Sequence, residues 1–394
     1  MAPYDNITII PSSDGKLPSE DGIITINEKY YKVSPRTILL IRCLHSSETI
    51  EEAIQAFIKA SPTPYNDNQV LFIVNNAINP LFAKKEMPSR PLGFLLKKAL
   101  IPENAVKLIS GKLSFLFNRF VILLICVFSA ILSIAYLLQP DVLTYNSRIS
   151  LEGILVIALV TVISSLIHEL GHAAACINYG ISPGHIGFGI YLNFPLFYTD
   201  VTKIWTLPSR QRHAINFAGV YFQCILLCIL LPLYFTFGNE IVKFIILTTM
   251  LSFIVTLNPF FKFDGYWIIS DILDIPNLRE HTYVWLKSRF GKSKIAHQQA
   301  SLLTRLSKTK LLLFMVYSIC STAFMLAYFF YIIPYIIITN GSMFFDDLTL
   351  MISYITHLVT PPFSIVKNVL SYLIFVSTVC YLLYGMIRTI IRRV

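Results

Sequence analysis

The chain has 394 residues, of which 55% are hydrophobic and only 14% charged, with a mean hydropathy of +0.64. So little charge spread over long apolar runs excludes an ordinary soluble domain and points to an integral membrane protein. The net charge of +10 does not indicate a nucleic-acid partner, because the lysines and arginines flank the apolar segments and form no basic stripe interleaved with aromatics.

The chain opens MAPYDNITIIPSSDGK, which lacks the charged and then apolar regions of a secretory signal, so no leader is expected to be removed. Residues 1–19 read as a flexible terminus, and residues 20–95 as a small α/β domain. Ile23-Ile24-Thr25-Ile26 and Tyr30-Tyr31-Lys32-Val33 are β-rich and separated by Asn27-Glu28-Lys29, which predicts a hairpin. Pro35 then opens a short apolar helix. Thr49 can cap a second helix, with Glu52 placed to complete a capping box. A third amphipathic run spans Asn68 to about Ala83. Strands followed by three helices predict a winged-helix-like module of roughly 75 residues, able to fold alone.

Residues 113–394 read as an all-α polytopic membrane domain with its core at 150–285. A helix needs ~20 apolar residues to cross a hydrocarbon core of ~30 Å. About six segments qualify: Phe120–Leu138, Gly153–Ile177, Ala214–Phe237, Ile241–Phe261, Leu311–Ile338 and Val369–Ile387. Residues 340–366, with Asp346, Asp347 and Pro361-Pro362, leave room for an interfacial helix. Lysine and arginine cluster before the first span, between the fourth and fifth, and at the C-terminus. Six spans put all three clusters on one side of the bilayer, which predicts cytoplasmic termini. Six of the seven cysteines lie in or beside the apolar runs with no CxxC pair, and read as small apolar side chains without a disulfide role.

The second span ends in His168-Glu169-Leu170-Gly171-His172, an HExxH pattern. Positions i and i+4 share a helix face, so both imidazoles can reach one ion. Glu169 is turned about 100° from His168, out of the coordination plane but within reach of a water that the metal polarises. Zinc lowers the pKa of such a water from ~15.7 towards 7, and a carboxylate can then take its proton during attack on a carbonyl. The bland alternative is two surface histidines beside a solvated glutamate. Inside an apolar span, however, each ionisable group is costly unless paired, solvated or bound to metal. Metal binding accounts for all three together.

A catalytic zinc takes three protein ligands and keeps one open position. Asp264, in Asn258-Pro259-Phe260-Phe261-Lys262-Phe263-Asp264-Gly265 at the end of the fourth span, is the candidate third ligand. Its competing reading is a loop acid paired with Lys262. The second and fourth spans run in the same direction, so both would bring their polar ends to one face of the membrane. Pro259 and Gly265 allow the backbone to turn there. His185, thirteen residues after His172, is the alternative ligand; Cys176 reads as packing and Asp200 as structural.

HELGH in one span, followed about 90 residues later by NPFFKFDGYW, resembles the site-2 protease family of intramembrane zinc metalloproteases. The segment FDGYWIISDILDIPNLRE resembles its bacterial peptide zinc metalloprotease branch. The resemblance covers roughly residues 115 to 285. It implies that His168, His172 and Asp264 bind zinc, that Glu169 is the catalytic base, and that Asn258 lies near the substrate backbone. Here Asn258 and Pro259 are adjacent, whereas many members space them. Between the second and third spans, Gly184-His185-Ile186-Gly187-Phe188-Gly189-Ile190-Tyr191 suggests a short hairpin. Its edge, at Gly187 and Gly189, could hold an extended substrate by strand addition, which the resemblance also implies; a connecting loop with glycines for turns is the other reading.

The N-terminal module resembles the PqqD-like domains that bind precursor leader peptides. Together these features predict a multi-pass bacterial cell-membrane endopeptidase with Zn²⁺ as cofactor and a peptide or leader-bearing precursor as partner. Cleavage is expected at the cytoplasmic leaflet, in the maturation or export of a peptide natural product. The alternatives are regulated intramembrane proteolysis of an anchored signalling factor, or a non-catalytic peptide-binding, transport or immunity protein.

Overall fold

A computed structural model describes residues 7–10, 22–26, 29–47, 49–79, 94–140, 142, 144, 150–192, 194–275, 278–290 and 307–391. The chain divides into two compact units, Met1–Leu92 with Ile204–Pro208, and Gly93–Lys203 with Ser209–Val394.

In the N-terminal unit, β1 (Ile7–Ile10), β2 (Gly22–Ile26) and β3 (Lys29–Val33) form an antiparallel sheet in that order. Strand β1 lies within the stretch that the sequence reads as a flexible terminus; its ITII run pairs residue for residue with Ile23–Ile26. Three helices follow: α1 (Pro35–Ser46), α2 (Ile50–Ala60) and α3 (Asp67–Ile73). The Thr49 hydroxyl accepts from the Glu52 N–H, and Asn66 and Gln69 close a full capping box on α3. Ile24, Leu40, Ile41, Leu44, Ile54, Phe57 and Val70 build one apolar core. The helix expected to reach Ala83 continues as a π turn at Val74–Ile78, and its further course lies outside the described residues, as does the turn at Asn27-Glu28.

The second unit is an all-α membrane architecture with one small sheet. Its helices are α4 (Glu103–Leu113), α5 (Arg119–Leu137), α6 (Leu151–Asn178), α7 (Ser209–Phe237), α8 (Glu240–Thr256), α9 (Asp264–Leu273), α10 (Leu278–Phe290), α11 (Lys308–Ala327), α12 (Ile333–Thr356) and α13 (Phe363–Ile391). Among the described residues, five helices are long and apolar enough to cross a membrane: α5, α6, α7, the continuous Lys308–Thr356 helix and α13. The fourth expected span, Ile241–Phe261, is shorter than foreseen. It forms the 17-residue α8, which stops at Thr256 because Asn258-Pro259 imposes a turn. At 1.5 Å per residue it reaches only about 26 Å, the low end for crossing a bilayer core. Conversely, no separate interfacial helix follows Ile338. The chain passes through a π turn at Tyr328–Ile332 and continues as helix to Thr356.

Strands β4 (Phe94–Ile101), β5 (Ile186–Tyr191) and β6 (Phe194–Thr199) form the second sheet, in the order β4-β5-β6 and antiparallel throughout. The hairpin expected around Gly187 therefore supplies two strands of a three-stranded sheet. Its third strand comes from the FLLKKALI segment ahead of the first span.

Two contacts position the helices around the site. A Cβ at Gly171 would collide with the Ala218 carbonyl oxygen, so glycine permits the backbones of α6 and α7 to cross closely. At one end of α7, the Nε of Arg212 donates to Oδ1 of Asp271 at 2.6 Å, and the Asn216 amide donates to Oδ2 at 2.9 Å. Both Arg212 and Asp271 are buried. This pair locks α9, which begins with Asp264, to α7. Removing one partner of a buried pair strands the other charge, at a cost of ~3–5 kcal/mol. Arg212→Met is therefore expected to lower the midpoint of thermal unfolding in detergent sharply. The double variant Arg212→Met with Asp271→Leu should recover most of the loss.

Candidate metal centre

His168 and His172 stand one turn apart on α6, their rings nearly perpendicular, with the two Nε2 atoms 3.1 Å apart. Asp264, the first residue of α9, brings Oδ2 to 2.9 Å from Nε2 of His168 and 3.3 Å from Nε2 of His172. The structure thus gathers three of the residues singled out in the sequence around one point, deep in the protein: His168 is 5% exposed and His172 6%.

The other nitrogen of each ring decides what fills that point. Nδ1 of His172 lies 2.7 Å from the Ile215 carbonyl, which can only accept, so Nδ1 carries the proton. Nδ1 of His168 lies 3.2 Å from Oε1 of Gln223 and is a donor in the same way. Both Nε2 atoms then present lone pairs to each other and to a carboxylate oxygen. Three acceptors at 2.9–3.3 Å repel unless a positive charge sits among them, and one divalent cation satisfies all three. Ligand atoms around a tetrahedral zinc, with bonds of about 2.0–2.1 Å, stand roughly 3.3 Å apart. The donor set fits the ion.

Glu169 is also buried, and a carboxylate oxygen of it lies within 4.8 Å of a ring nitrogen of both histidines. The Thr199 hydroxyl, at the end of β6, reaches Oε2 of Glu169 at 2.7 Å and its carbonyl oxygen at 3.0 Å. This holds the carboxylate beside the metal point.

The loop before Asp264 explains the spacing of the N-P…D-G pattern. Oδ1 of Asn258 accepts from the Phe260 N–H at 2.8 Å and so tightens the turn that Pro259 starts. The side-chain oxygen of Asn258, a residue the resemblance places near the substrate backbone, thus serves the turn. A Cβ at Gly265 would collide with the Leu257 carbonyl, so only glycine lets α9 begin against that turn. Arg279 donates to the Phe260 carbonyl at 2.8 Å and to the Tyr191 hydroxyl at 3.2 Å, pinning the loop. Phe261 packs on Phe194, Phe324 and Tyr328. Lys262 forms no ion pair with Asp264. Burial pushes its ammonium below the ordinary lysine range, and the neighbouring Arg279 adds to this against the pull of Glu280.

Gly187 and Gly189 lie in the middle strand, paired on one side with Ala99 and Lys97 and on the other with Tyr198 and Leu196. They offer no open edge, which corrects the expectation that they bind a substrate strand. Gly187 has a packing reason instead, because a Cβ there would strike the Tyr198 ring. Among the described residues β6 ends the sheet on the side of the site, and Pro195 within it is typical of an edge strand. His185 hydrogen-bonds the Tyr198 hydroxyl at 3.2 Å and is not part of the metal group. Cys176 is fully buried packing. Burial would raise the Asp200 carboxyl, but the hydroxyl and N–H of Thr202, with His185 and Lys97 nearby, hold it below its ordinary value.

No family model matches the chain, and no solved structure matches it. Two curated proteins do. A protein of Bacillus subtilis (strain 168), provisionally named peptide zinc metalloprotease protein YydH, is 24% identical over 135 residues, covering 34% of this chain and 54% of that protein. The chain resembles membrane metalloproteases of the site-2 type. The second relative, a membrane-bound transcription factor site-2 protease homolog of Arabidopsis thaliana, is 35% identical over 95 residues, 22% of this chain and 18% of that protein. The chain thus spans about half the length of the first relative and less than a fifth of the second.

Sequence reading missed Gly219, Gln223, Thr199 and Arg212. Three of them had a visible signal. Arg212, Asn216, Gly219 and Gln223 recur at i, i+4, i+7 and i+11, a polar and small-residue stripe on one face of an apolar span. A Cβ at Gly219 would overlap the His168 ring. Gly219→Ala is therefore expected to displace that imidazole and weaken the binding of any divalent metal held there at least tenfold, roughly the loss seen when ligand support is removed. Chelator competition would read the affinity, and far-ultraviolet circular dichroism should show unchanged helix content.

Proposed function

We propose that this chain is a membrane zinc endopeptidase of the site-2 type. The observation that supports it most directly is the cluster of a carboxylate oxygen and two imidazole Nε2 atoms whose rings carry their protons on Nδ1, with Glu169 held alongside. His168, His172 and Asp264 would hold the ion. When bound, zinc supplies Lewis-acid activation of water and of the scissile carbonyl. Glu169 takes the proton from the attacking water and delivers it to the leaving amine. Thr199 keeps the carboxylate aimed while this happens. The open edge of β6, which ends at Thr199, gives an extended peptide a strand to pair with beside the base.

The substrate is a small leader-bearing peptide, matured or exported by a bacterial cell. The N-terminal unit supports this reading, since its sheet ends in the edge strand β3, which can take up a leader as an added strand. The Lys and Arg distribution supports cytoplasmic termini and a site on the same side, with α8 counted as a short span. Cleavage of a membrane-anchored regulator is the second reading. It is favoured by the Arabidopsis relative, which is named a membrane-bound transcription factor site-2 protease homolog.

Three outcomes test the proposal. Metal analysis of the purified chain should give near-stoichiometric zinc, lost in both His172→Ala and Asp264→Ala; zinc retained in the aspartate variant would remove the third ligand. Glu169→Gln should keep its zinc and lose about 10²–10⁴ in turnover, measured on a tagged leader-bearing peptide and a tagged single-span protein co-expressed in turn. Thr199→Val, which exchanges only the hydroxyl for a methyl group, should lower turnover without loss of zinc.

A further inference from the structure

The polar contacts behind His168 form a chain with a direction. Ser252, on α8, donates its hydroxyl proton to the Thr249 carbonyl at 2.6 Å. Its oxygen can then only accept, and what it accepts from, at 3.0 Å, is the amide of Gln223 on α7. The same amide lies 3.3 Å from the Ser164 hydroxyl on α6. With the NH₂ end fixed on the serines, the oxygen end must face His168, where it meets Nδ1 at 3.2 Å. A carbonyl oxygen cannot donate, so Nδ1 carries the proton and Nε2 keeps its lone pair. Gln223 is 3% exposed, so water does not compete for any of these contacts.

We propose that Gln223 is a positioning residue of the metal centre, fixing the His168 imidazole with Nε2 free for the ion and tying that orientation to α6 and α8. The inference rests on the zinc reading above and adds to it. His172 has its orientation set by a backbone carbonyl, which no side-chain change removes. His168 depends on one side chain, and that side chain is oriented by two other helices. A shift of α8 relative to α7 would therefore reach the metal through Ser252 and Gln223. Partners of this kind typically govern metal affinity by 10–100-fold.

The test uses zinc alone, titrated by chelator competition into the full-length protein in detergent. Gln223→Met fills the same space without an acceptor and is expected to weaken zinc binding about 10–100-fold, while the metal-free protein keeps its unfolding midpoint. Gln223→Glu should bind as tightly as the wild type or more so, because a carboxylate accepts the same proton from Nδ1. A residue that merely packs the helices would show the reverse order, with methionine tolerated and the buried carboxylate harmful. Equal zinc affinity in wild type and Gln223→Met overturns the proposal while leaving the protease reading intact. Absence of zinc binding in the wild type overturns both. Where Gln223→Met fails to fold, Gln223→Glu decides alone: retained affinity supports the role, and a tenfold loss overturns it.

Discussion

The structure around the site depends on how closely α6 and α7 approach each other. Gly171, inside HELGH, admits the Ala218 carbonyl, and Gly219, the next residue of α7, admits the His168 ring. With those two side chains absent, a single face of α7 can touch everything that matters. It supplies the Ile215 carbonyl to His172, the Gln223 amide to His168, and the Arg212–Asn216 pair that holds α9 through Asp271. In a membrane there is little hydrophobic gain from pressing two apolar helices together, so close backbone approach and interhelical hydrogen bonds carry the association. The same contacts that join the helices here also aim the ligands.

Burial gives those contacts their consequence. Two imidazoles and two carboxylates sit where water is scarce, so each polar atom needs a partner and each lone pair a positive charge. The Nδ1 atoms discharge their protons outward onto fixed acceptors. What remains between His168, His172 and Asp264 is a concentrated negative potential that a divalent cation neutralises. Arg212 and Asp271 obey the same rule in a different way: being adjacent and of opposite sign, they satisfy one another.

The small sheet reaches this centre through its last strand. Strand β4, contributed from before the first span, closes one side of β5 and leaves β6 as the edge towards the site. Thr199 ends that edge and holds Glu169. One strand therefore both contacts Glu169 and ends the sheet on that side.

The sequence alone determined the membrane class, the N-terminal α/β unit and the HExxH face, because hydropathy, capping residues and the i, i+4 spacing are local properties that one stretch of chain expresses by itself. It also pointed to Asp264, since Pro259 and Gly265 mark a turn at the end of an apolar run. Tertiary structure decided the rest. Whether Gly187 sits at an edge or in the middle of a sheet depended on β4, more than 80 residues away in sequence, pairing with β5. Asn258 reads as a free polar group until the turn it closes is seen. Gln223, Gly219 and Thr199 acquire roles only through what lies opposite them on other elements, and no periodicity within one segment reports the identity of a neighbour across a helix crossing.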